Sequence, residues 1–269
     1  MRFAVSYSTP AYGMDPERLV GFARRAEECG FEGLYVPEHV VLSQGATFGG
    51  VQMPTDLVYG DPLELLTFVA GATERLLLGT AVLLLPYHHP VVLAKRLATL
   101  DVLSKGRLRL LTVGLGSLPG EAQAVGVDYA SRGRRADEAI DVLRLLWSGE
   151  DVSYSGEFFE FEGLSSFPHP LAPLPIHVGG SSRAAARRAG ARGDGYFPGG
   201  ALTPDERAAQ WELVRTTSGR DDLEYTRWAS IEVTPDAVAA YEAQGVTRLV
   251  VTTPDLDELT HFAKRFQLP

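Results

Sequence analysis

His39 is the best candidate for acid–base chemistry in this chain of 269 residues. It ends the run Val36-Pro37-Glu38-His39, and an imidazole titrates near neutral pH, so it can pass a proton beside a reacting group. Glu38 is expected to point to the opposite side of the extended backbone and to orient its surroundings. A histidine that follows a strand often has a structural role only, and that interpretation of His39 stays open here.

A second group of interest is the run Gly179-Gly180-Ser181-Ser182, which precedes a helical segment beginning at Arg183. Glycine lets a phosphate approach the backbone closely, and a helix N-terminus offers unpaired N–H groups and a favourable dipole. A serine hydroxyl can add a further donor. The run predicts a phosphate-binding turn, and a plain serine-capped turn is the alternative.

The run Gly114-Leu115-Gly116-Ser117 only partly matches a dinucleotide-binding fingerprint, because the next glycine, Gly120, comes one position late. A tight turn that lets a planar cofactor approach the backbone fits these residues better. No metal site is predicted: His88 and His89 are neighbours whose side chains should diverge, and Cys29 is isolated. No nucleophile-elbow serine is present either.

Strands and helices must alternate along the chain to position these residues. β-rich runs occur at Phe3–Tyr7, Gly33–Val36, Leu76–Leu85, Leu108–Val113, Ile176–Val178, Tyr196–Phe197, Tyr225–Val233 and Leu249–Thr252. Eight strands alternating with helices imply a parallel sheet, and eight strands can close into a (β/α)8 TIM barrel. We therefore predict one barrel domain over residues 1–269, with an open doubly wound sheet as the alternative.

Helix starts are marked by capping residues. Asp15 is expected to cap a helix that buries a stripe from Leu19 to Ala26. Three Thr-Pro-Asp triplets, at Thr203, Thr234 and Thr253, each predict a helix that starts soon after a strand.

Two segments exceed what a minimal barrel needs. Residues 37–61 form a long glycine-rich connection, and residues 149–175 contain a predicted β-hairpin of Val152–Tyr154 and Phe158–Phe161 before the fifth strand. We interpret both as lids or supports.

Composition excludes several classes of partner. The formal net charge of −9 and the pI near 5.2 argue against a nucleic-acid backbone as ligand. No apolar stretch approaches the ~20 residues that span a bilayer. A single cysteine and the absence of a signal sequence fit a cytoplasmic protein without membrane partners.

The chain resembles luciferase-like monooxygenases, and within them the oxidoreductases that depend on the deazaflavin coenzyme F420. The likeness runs in order along nearly the whole sequence. It is carried by Val36-Pro37-Glu38-His39, Leu78-Gly79-Thr80-Ala81-Val82, Val113-Gly114-Leu115-Gly116, Arg132-Gly133-Arg134-Arg135, Pro175-Ile176-His177-Val178-Gly179-Gly180 and Gly193-Asp194-Gly195-Tyr196-Phe197-Pro198.

The resemblance implies roles for particular positions. His39 matches the histidine beside the reactive face of the ring, and Ala81-Val82 falls where such enzymes have a non-prolyl cis peptide behind the ring. It also implies a small-molecule substrate and a homodimer. The implied cofactor-binding residues are Thr80, Ala81, Val82, Gly116, Ser117, Gly179, Gly180, Ser181 and Gly199.

Three departures from the family pattern narrow the range of substrates that the resemblance implies. The sugar-phosphate dehydrogenases of the family have a carboxylate where Ser117-Leu118-Pro119 stand, a tryptophan where Val40–Ser43 stand, and a lysine within Pro198–Ala201. A sugar phosphate is therefore not expected, and the missing lysine also weakens the assignment of F420. The apolar Val40–Leu42 segment suggests an apolar or conjugated substrate.

The resulting hypothesis is a hydride-transferring oxidoreductase that uses F420, with His39 as proton donor or acceptor. The alternatives are an FMN-dependent luciferase-like monooxygenase and a non-catalytic paralogue that binds a flavin or deazaflavin.

Overall fold

Twelve short runs form strands in the computed structural model, which describes residues 1–200 and 202–269 without the side chain of Phe48. Ala201, part of the stretch that lacks a lysine, lies outside the described residues. The strands are β1 (Arg2–Ser6), β2 (Gly33–Val36), β3 (Thr47–Phe48), β4 (Val51–Gln52), β5 (Leu77–Leu84), β6 (Leu108–Gly114), β7 (Val152–Ser155), β8 (Glu160–Leu164), β9 (Ile176–Gly179), β10 (Gly195–Phe197), β11 (Glu224–Ser230) and β12 (Arg248–Thr252).

Eight of these strands close a parallel barrel in the order β1-β12-β11-β10-β9-β6-β5-β2. Closure is made by β1 and β12, where Phe3 lies opposite Leu249. The predicted (β/α)8 barrel is confirmed and the open-sheet alternative is wrong. All eight predicted strands form, and the largest difference is at β11, which ends at Ser230 rather than Val233.

Helices follow the barrel strands and cover their outer faces. They are α1 (Thr9–Tyr12), α2 (Pro16–Glu28), α3 (Pro62–Ala72), α4 (Pro90–Leu103), α5 (Pro119–Ala124), α6 (Arg132–Ser148), α7 (Arg183–Arg192), α8 (Pro204–Ser218), α9 (Pro235–Ala243) and α10 (Leu256–Phe266). Among the described residues, none of these helices has both the length and the apolar character needed to cross a bilayer.

Capping side chains explain most helix starts. Asp15 accepts a hydrogen bond from the Arg18 amide at 2.8 Å, as predicted. Thr203 and Thr234 cap α8 and α9. A helix starts soon after β12, as the third triplet predicts, but Asp255 rather than Thr253 caps it. α10 begins at Leu256, and Thr253 lies too early in the chain to reach its first amides.

The two long connections carry small hairpins. β3 pairs with β4 inside residues 37–61, and β7 pairs with β8 as predicted. Phe159, at the β7–β8 hairpin, is 5% exposed and packs against the His89 ring at 5.5 Å and under the Arg135 guanidinium at 4.6 Å. This hairpin therefore braces the connection between β5 and α4.

Paired charges fill the N-terminal end of the barrel. The Arg248 side chain is 1% exposed and binds Glu32 at 2.6 Å and Glu224 at 2.5 Å, and Arg2 joins the same two carboxylates. A cavity of about 550 Å³ opens beside this network. Because these acids are held in ion pairs, we interpret the network as structural, in keeping with the stabilising role of this barrel face.

His177 lies buried in the same network. Burial lowers the pKa of His177 to about 4, and the charges of Arg248 and Arg2 act in the same direction against the opposing Glu224. Burial alone would raise the pKa of Glu224, but Arg248, His177 and Arg2 hold it at about 2. Both shifts favour the folded protein at neutral pH over acid pH.

The first prediction concerns acid stability. Below pH 6.5 the unfolded chain protonates His177 and the folded chain does not until about pH 4. The free energy of unfolding should fall across this window with a slope of about 1 kcal/mol per pH unit. Urea unfolding between pH 8 and pH 4 should show a shallower slope for His177→Asn and an unchanged slope for His261→Gln, at an exposed histidine. Equal slopes in all three proteins would contradict the assignment.

Candidate active site

The residues predicted for the site lie within or just after five neighbouring strands, toward the C-terminal ends of these strands. These strands, β2, β5, β6, β9 and β10, are consecutive in the barrel. They bring His39, Ala81, Gly116, Gly180 and Gly199 to one arc of the rim. The carboxyl ends of barrel strands are where TIM-barrel enzymes place their active sites.

His39 is held by a buried carboxylate. Its Nδ1 lies 3.1 Å from Glu121 Oε2, and the Val40 amide donates to Glu121 Oε1 at 2.7 Å. Because a carboxylate only accepts, Nδ1 carries the proton and Nε2 is left for exchange. Nε2 has no hydrogen-bond partner among the described residues. The Tyr59 ring meets the imidazole edge-on at 4.8 Å and limits its rotation.

Glu121 is not among the residues predicted for the site from the sequence, since Ser117-Leu118-Pro119 follow the β6 glycines directly. The acid lies further along, in α5, and its side chain is completely buried against His39. The partners are 82 residues apart in the chain. The only sequence signal was an acidic residue in the otherwise uncharged run from Ser117 to Val127.

Glu38 orients its surroundings, as predicted. Its Oε2 accepts from the Leu84 amide at 2.5 Å, and its Oε1 lies 2.8 Å from His88 Nε2. His88 and His89 diverge as expected, since the His89 ring contacts Phe159 instead. Glu38 thus fixes the connection after β5 relative to the one that carries His39.

The peptide bond between Ala81 and Val82 is cis, as the resemblance implies. The register between β5 and β6 shifts here, between Ala81 and Leu83. The Val82 side chain occupies space left by two glycines: a Cβ on Gly114 or Gly179 would lie 2.5 Å from a Val82 methyl.

Thr80, predicted as a cofactor contact, is fully buried. Its hydroxyl donates to the Thr112 carbonyl at 2.7 Å and accepts from the Thr112 amide at 3.1 Å. In this position Thr80 supports the irregular pairing of β5 and β6 from behind the rim.

Gly116 lies against Tyr87. With φ +75° it adopts a conformation that favours glycine, and a Cβ there would be 2.2 Å from the Tyr87 hydroxyl. That hydroxyl is buried and has no partner among the described residues. Burial, and then the charge of Glu121, raise the pKa of Tyr87 to about 12. Tyr87 is therefore a protonated donor at the rim.

Arg132 and Tyr129 hold the Gly116–Ser117 turn. The Arg132 guanidinium lies 3.5 Å from the centre of the Tyr129 ring, and its Nε donates to the Gly116 carbonyl at 3.2 Å. The Tyr129 hydroxyl donates to the Ser117 carbonyl at 3.1 Å. Ser117 itself is exposed.

The turn after β9 contains the predicted serine cap, and phosphate binding there stays a prediction. Ser182 caps α7 by accepting from the Ala185 amide at 3.1 Å. No acceptor is found within residues 1–200 and 202–269 for the amides of Ser181, Ser182, Arg183 and Ala184. A Cβ on Gly199, in the next loop, would meet no atom of the described residues within 4 Å. The turn therefore presents free donors beside open space, which suits an anion.

The described part of the chain contains no group of three or more His, Cys, Asp or Glu side chains arranged to hold a metal ion.

Comparison with known proteins identifies the family. The profile of the luciferase-like monooxygenases matches residues 1–263, and the chain is an enzyme of this family. An uncharacterized protein of Mycobacterium tuberculosis is 33% identical over 269 residues, covering 95% of this chain and 93% of the relative. An F420-dependent glucose-6-phosphate dehydrogenase of Microbacterium testaceum is 30% identical, covering 90% of this chain and 71% of the relative.

Solved structures share the fold. An F420-dependent secondary alcohol dehydrogenase in complex with an F420-acetone adduct superposes with a TM-score of 0.79 at 16% identity, covering 98% of this chain and 97% of that one. A riboflavin lyase with modified FMN gives a TM-score of 0.74 at 20% identity, covering 91% of this chain and 66% of that one. Both likenesses support the barrel.

The second prediction tests the packing of Val82. Gly179→Ala would place a methyl 2.5 Å from the Val82 side chain and should lower the free energy of unfolding by about 1–3 kcal/mol. Val82→Ala in the same chain should restore part of the loss. Gly21→Ala is the matched control, because a methyl at Gly21 meets nothing within 4 Å. Additive effects of the Gly179 and Val82 substitutions in urea unfolding would refute the contact.

Proposed function

We propose that the chain is an oxidoreductase that transfers a hydride between coenzyme F420 and a small organic substrate, with His39 exchanging the accompanying proton. The observation that carries this proposal is the convergence of the His39–Glu121 pair and the unpaired donors after β9 on one arc of the rim. The F420-dependent dehydrogenase at 30% identity supports the choice of cofactor.

The residues present fit a flavin-type cofactor. The amides of Ser181 and Ser182 would hold its phosphate, and Gly199 leaves room for the tail. Ala81 and Val82 would support the ring from behind, and the turn at Gly116 and Ser117 would border it. Bound there, a deazaflavin supplies two-electron hydride chemistry, which the side chains alone cannot provide.

The task of His39 follows from its hydrogen bond. Glu121 holds the Nδ1 proton, so the ring has one orientation and one tautomer. The proton that accompanies hydride transfer would be taken up or released at Nε2, and the carboxylate stabilises the imidazolium that forms when Nε2 is protonated. Glu121 is therefore a positioning residue.

Apolar side chains at the rim favour an apolar or conjugated substrate. Trp228 of β11 is 37% exposed and lies 4.9 Å from the Phe197 ring. Val40 and Val41, next to His39, are 47% and 44% exposed. Contact with a substrate would remove this apolar surface from water.

An FMN-dependent monooxygenase is the second candidate, because a barrel of the same fold was solved with a modified FMN. Either cofactor can place its phosphate in this turn. F420 and FMN differ in the ring and in the groups attached beyond the phosphate.

The third prediction separates these candidates. Titration of the purified protein with F420 and with FMN, followed by ring fluorescence, should give the lower Kd for F420. Riboflavin, which has no phosphate, should bind more weakly than FMN whichever cofactor is preferred. Tight binding of FMN without binding of F420 would exclude the first candidate and favour the second.

The fourth prediction tests His39 and Glu121. His39→Ala should lower kcat by about 100-fold or more while the Kd for the cofactor changes little. Glu121→Gln should lower kcat less than His39→Ala does, because the imidazole stays in place but is oriented less firmly. The Kd for the cofactor should again change little. Turnover is measured with a compound selected by screening secondary alcohols and conjugated carbonyl compounds, and His261→Gln is the control.

Unchanged turnover in His39→Ala would remove His39 from the mechanism. Retained cofactor binding with no turnover of any compound in the wild-type protein would favour the non-catalytic paralogue.

A further inference from the structure

Two buried side chains hold the turn after β9 from its inner side. Gln210, from α8, donates through Nε2 to the Ser181 carbonyl at 2.7 Å. Tyr196, from β10, lies 3.0 Å from the Gly180 carbonyl and 2.5 Å from Gln210 Oε1. Tyr196 is 1% exposed and Gln210 is 6% exposed, whereas Gly180, Ser181 and Ser182 are all exposed. The turn thus has a buried side with fixed partners and an open side.

The hydrogen-bond types determine how the Gln210 amide is oriented. The Ser181 carbonyl can only accept, so the NH2 group of Gln210 must face it. The carbonyl oxygen of Gln210 is then left for Tyr196. Burial raises the pKa of Tyr196, so its hydroxyl is protonated and donates. The hydroxyl proton of Tyr196 has two possible acceptors, and it is donated mainly to the nearer one, Gln210 Oε1. Tyr196 therefore orients the Gln210 amide.

Peptide geometry carries this constraint to the other side of the turn. In a trans peptide unit the C=O and the N–H point in opposite directions, and the bonds around Ser181 are not among the cis bonds of the chain. The Gly180 carbonyl points toward Tyr196, so the Ser181 N–H points away from it. The Ser181 carbonyl points toward Gln210, so the Ser182 N–H also points outward. Two successive N–H groups directed to one side form an anion-binding concavity.

We propose that Gln210, oriented by Tyr196, is a positioning residue that directs the Ser181 and Ser182 amides at the phosphate of the cofactor. The inference rests on the proposed function, because it needs a phosphate-bearing cofactor in this turn. This role has a selective consequence: loss of the Gln210 hydrogen bond weakens binding of the cofactor phosphate and leaves the contacts of the cofactor ring unchanged.

Arg207 adds a tie of the same kind from the same helix. One turn before Gln210, its guanidinium donates to the Gly200 carbonyl at 3.2 Å. α8 therefore sets the position of the loop after β10 as well as the turn after β9. A substitution confined to Gln210 leaves the Arg207 contact in place, so it tests the turn separately from the packing of the helix.

The experiment compares each cofactor with its phosphate-free form. The probes are F420 and the deazaflavin chromophore without its phosphate-bearing tail, and FMN and riboflavin. Each is titrated into wild-type protein, Gln210→Met and Tyr196→Phe while ring fluorescence is followed. Gln244→Met is the matched control, because the Gln244 side chain is exposed and its backbone amide accounts for its hydrogen bond at the end of α9.

We expect Gln210→Met to raise the Kd of the phosphate-bearing form by about tenfold or more, as for loss of a charge-assisted hydrogen bond. The Kd of the phosphate-free form should stay unchanged, Tyr196→Phe should give a smaller selective loss, and Gln244→Met should have no effect. The Tyr196→Phe comparison also covers the case in which Gln210→Met fails to fold.

Several results would overturn the inference. An equal loss for both forms would mean that Gln210 only stabilises the fold, and no loss for either would mean that the turn keeps its shape without it. The cofactor pair that binds wild-type protein tests the proposed function separately: selective loss with FMN alone would keep the inference and reject F420. Binding of neither pair would reject both.

Discussion

Buried carboxylates need donors, and this requirement organises the rim of the barrel. Glu38 and Glu121 are both almost fully buried, where an unpaired charge would be costly. Glu38 takes its donors from the connection after β5, and Glu121 takes its donors from the segment after β2. Three loops from neighbouring strands are thereby fixed to one another, and His39 follows Glu38 in the chain and contacts Glu121. The position of the imidazole follows from satisfying these acids.

The two ends of the barrel differ in which of their polar groups lack partners. At the N-terminal end Arg248, Glu32 and Glu224 use one another as partners. At the C-terminal end, within the described residues, the Tyr87 hydroxyl and the amides after β9 have no partner. Unsatisfied donors are costly in a finished core and useful where a ligand will supply the acceptors. The N-terminal end also has one such group, the buried Nδ1 of His177, which lacks a partner among the described residues. The row of free amides after β9 is therefore the feature that indicates a binding site at the C-terminal end.

Local signals in the sequence predicted most of the fold and part of the site. β-rich runs, the Asp15 cap and the glycines after β6 and β9 depend on neighbouring residues, so they could be interpreted directly. Glu121 and Gln210 could not, because each acts on a residue far away in the chain and its role appears only after the barrel closes. Thr253 shows the limit of a local motif. The Thr-Pro-Asp triplet is present, but α10 begins at Leu256, two residues after the proline of the triplet, and Asp255 caps it.

The candidate site residues at the rim fall into two groups along the chain. His39 and Glu121 both precede residue 125, whereas the turn at Gly180, the loop at Gly199 and the α8 residue Gln210 all follow β8. A genetic crossover between α6 and β9 would therefore transmit the His39–Glu121 pair and the turn proposed to hold the cofactor phosphate as separate units. Recombination between relatives would exchange the turn proposed to hold the phosphate and keep the residues proposed to border the ring, Ala81, Val82 and Gly116, together with His39.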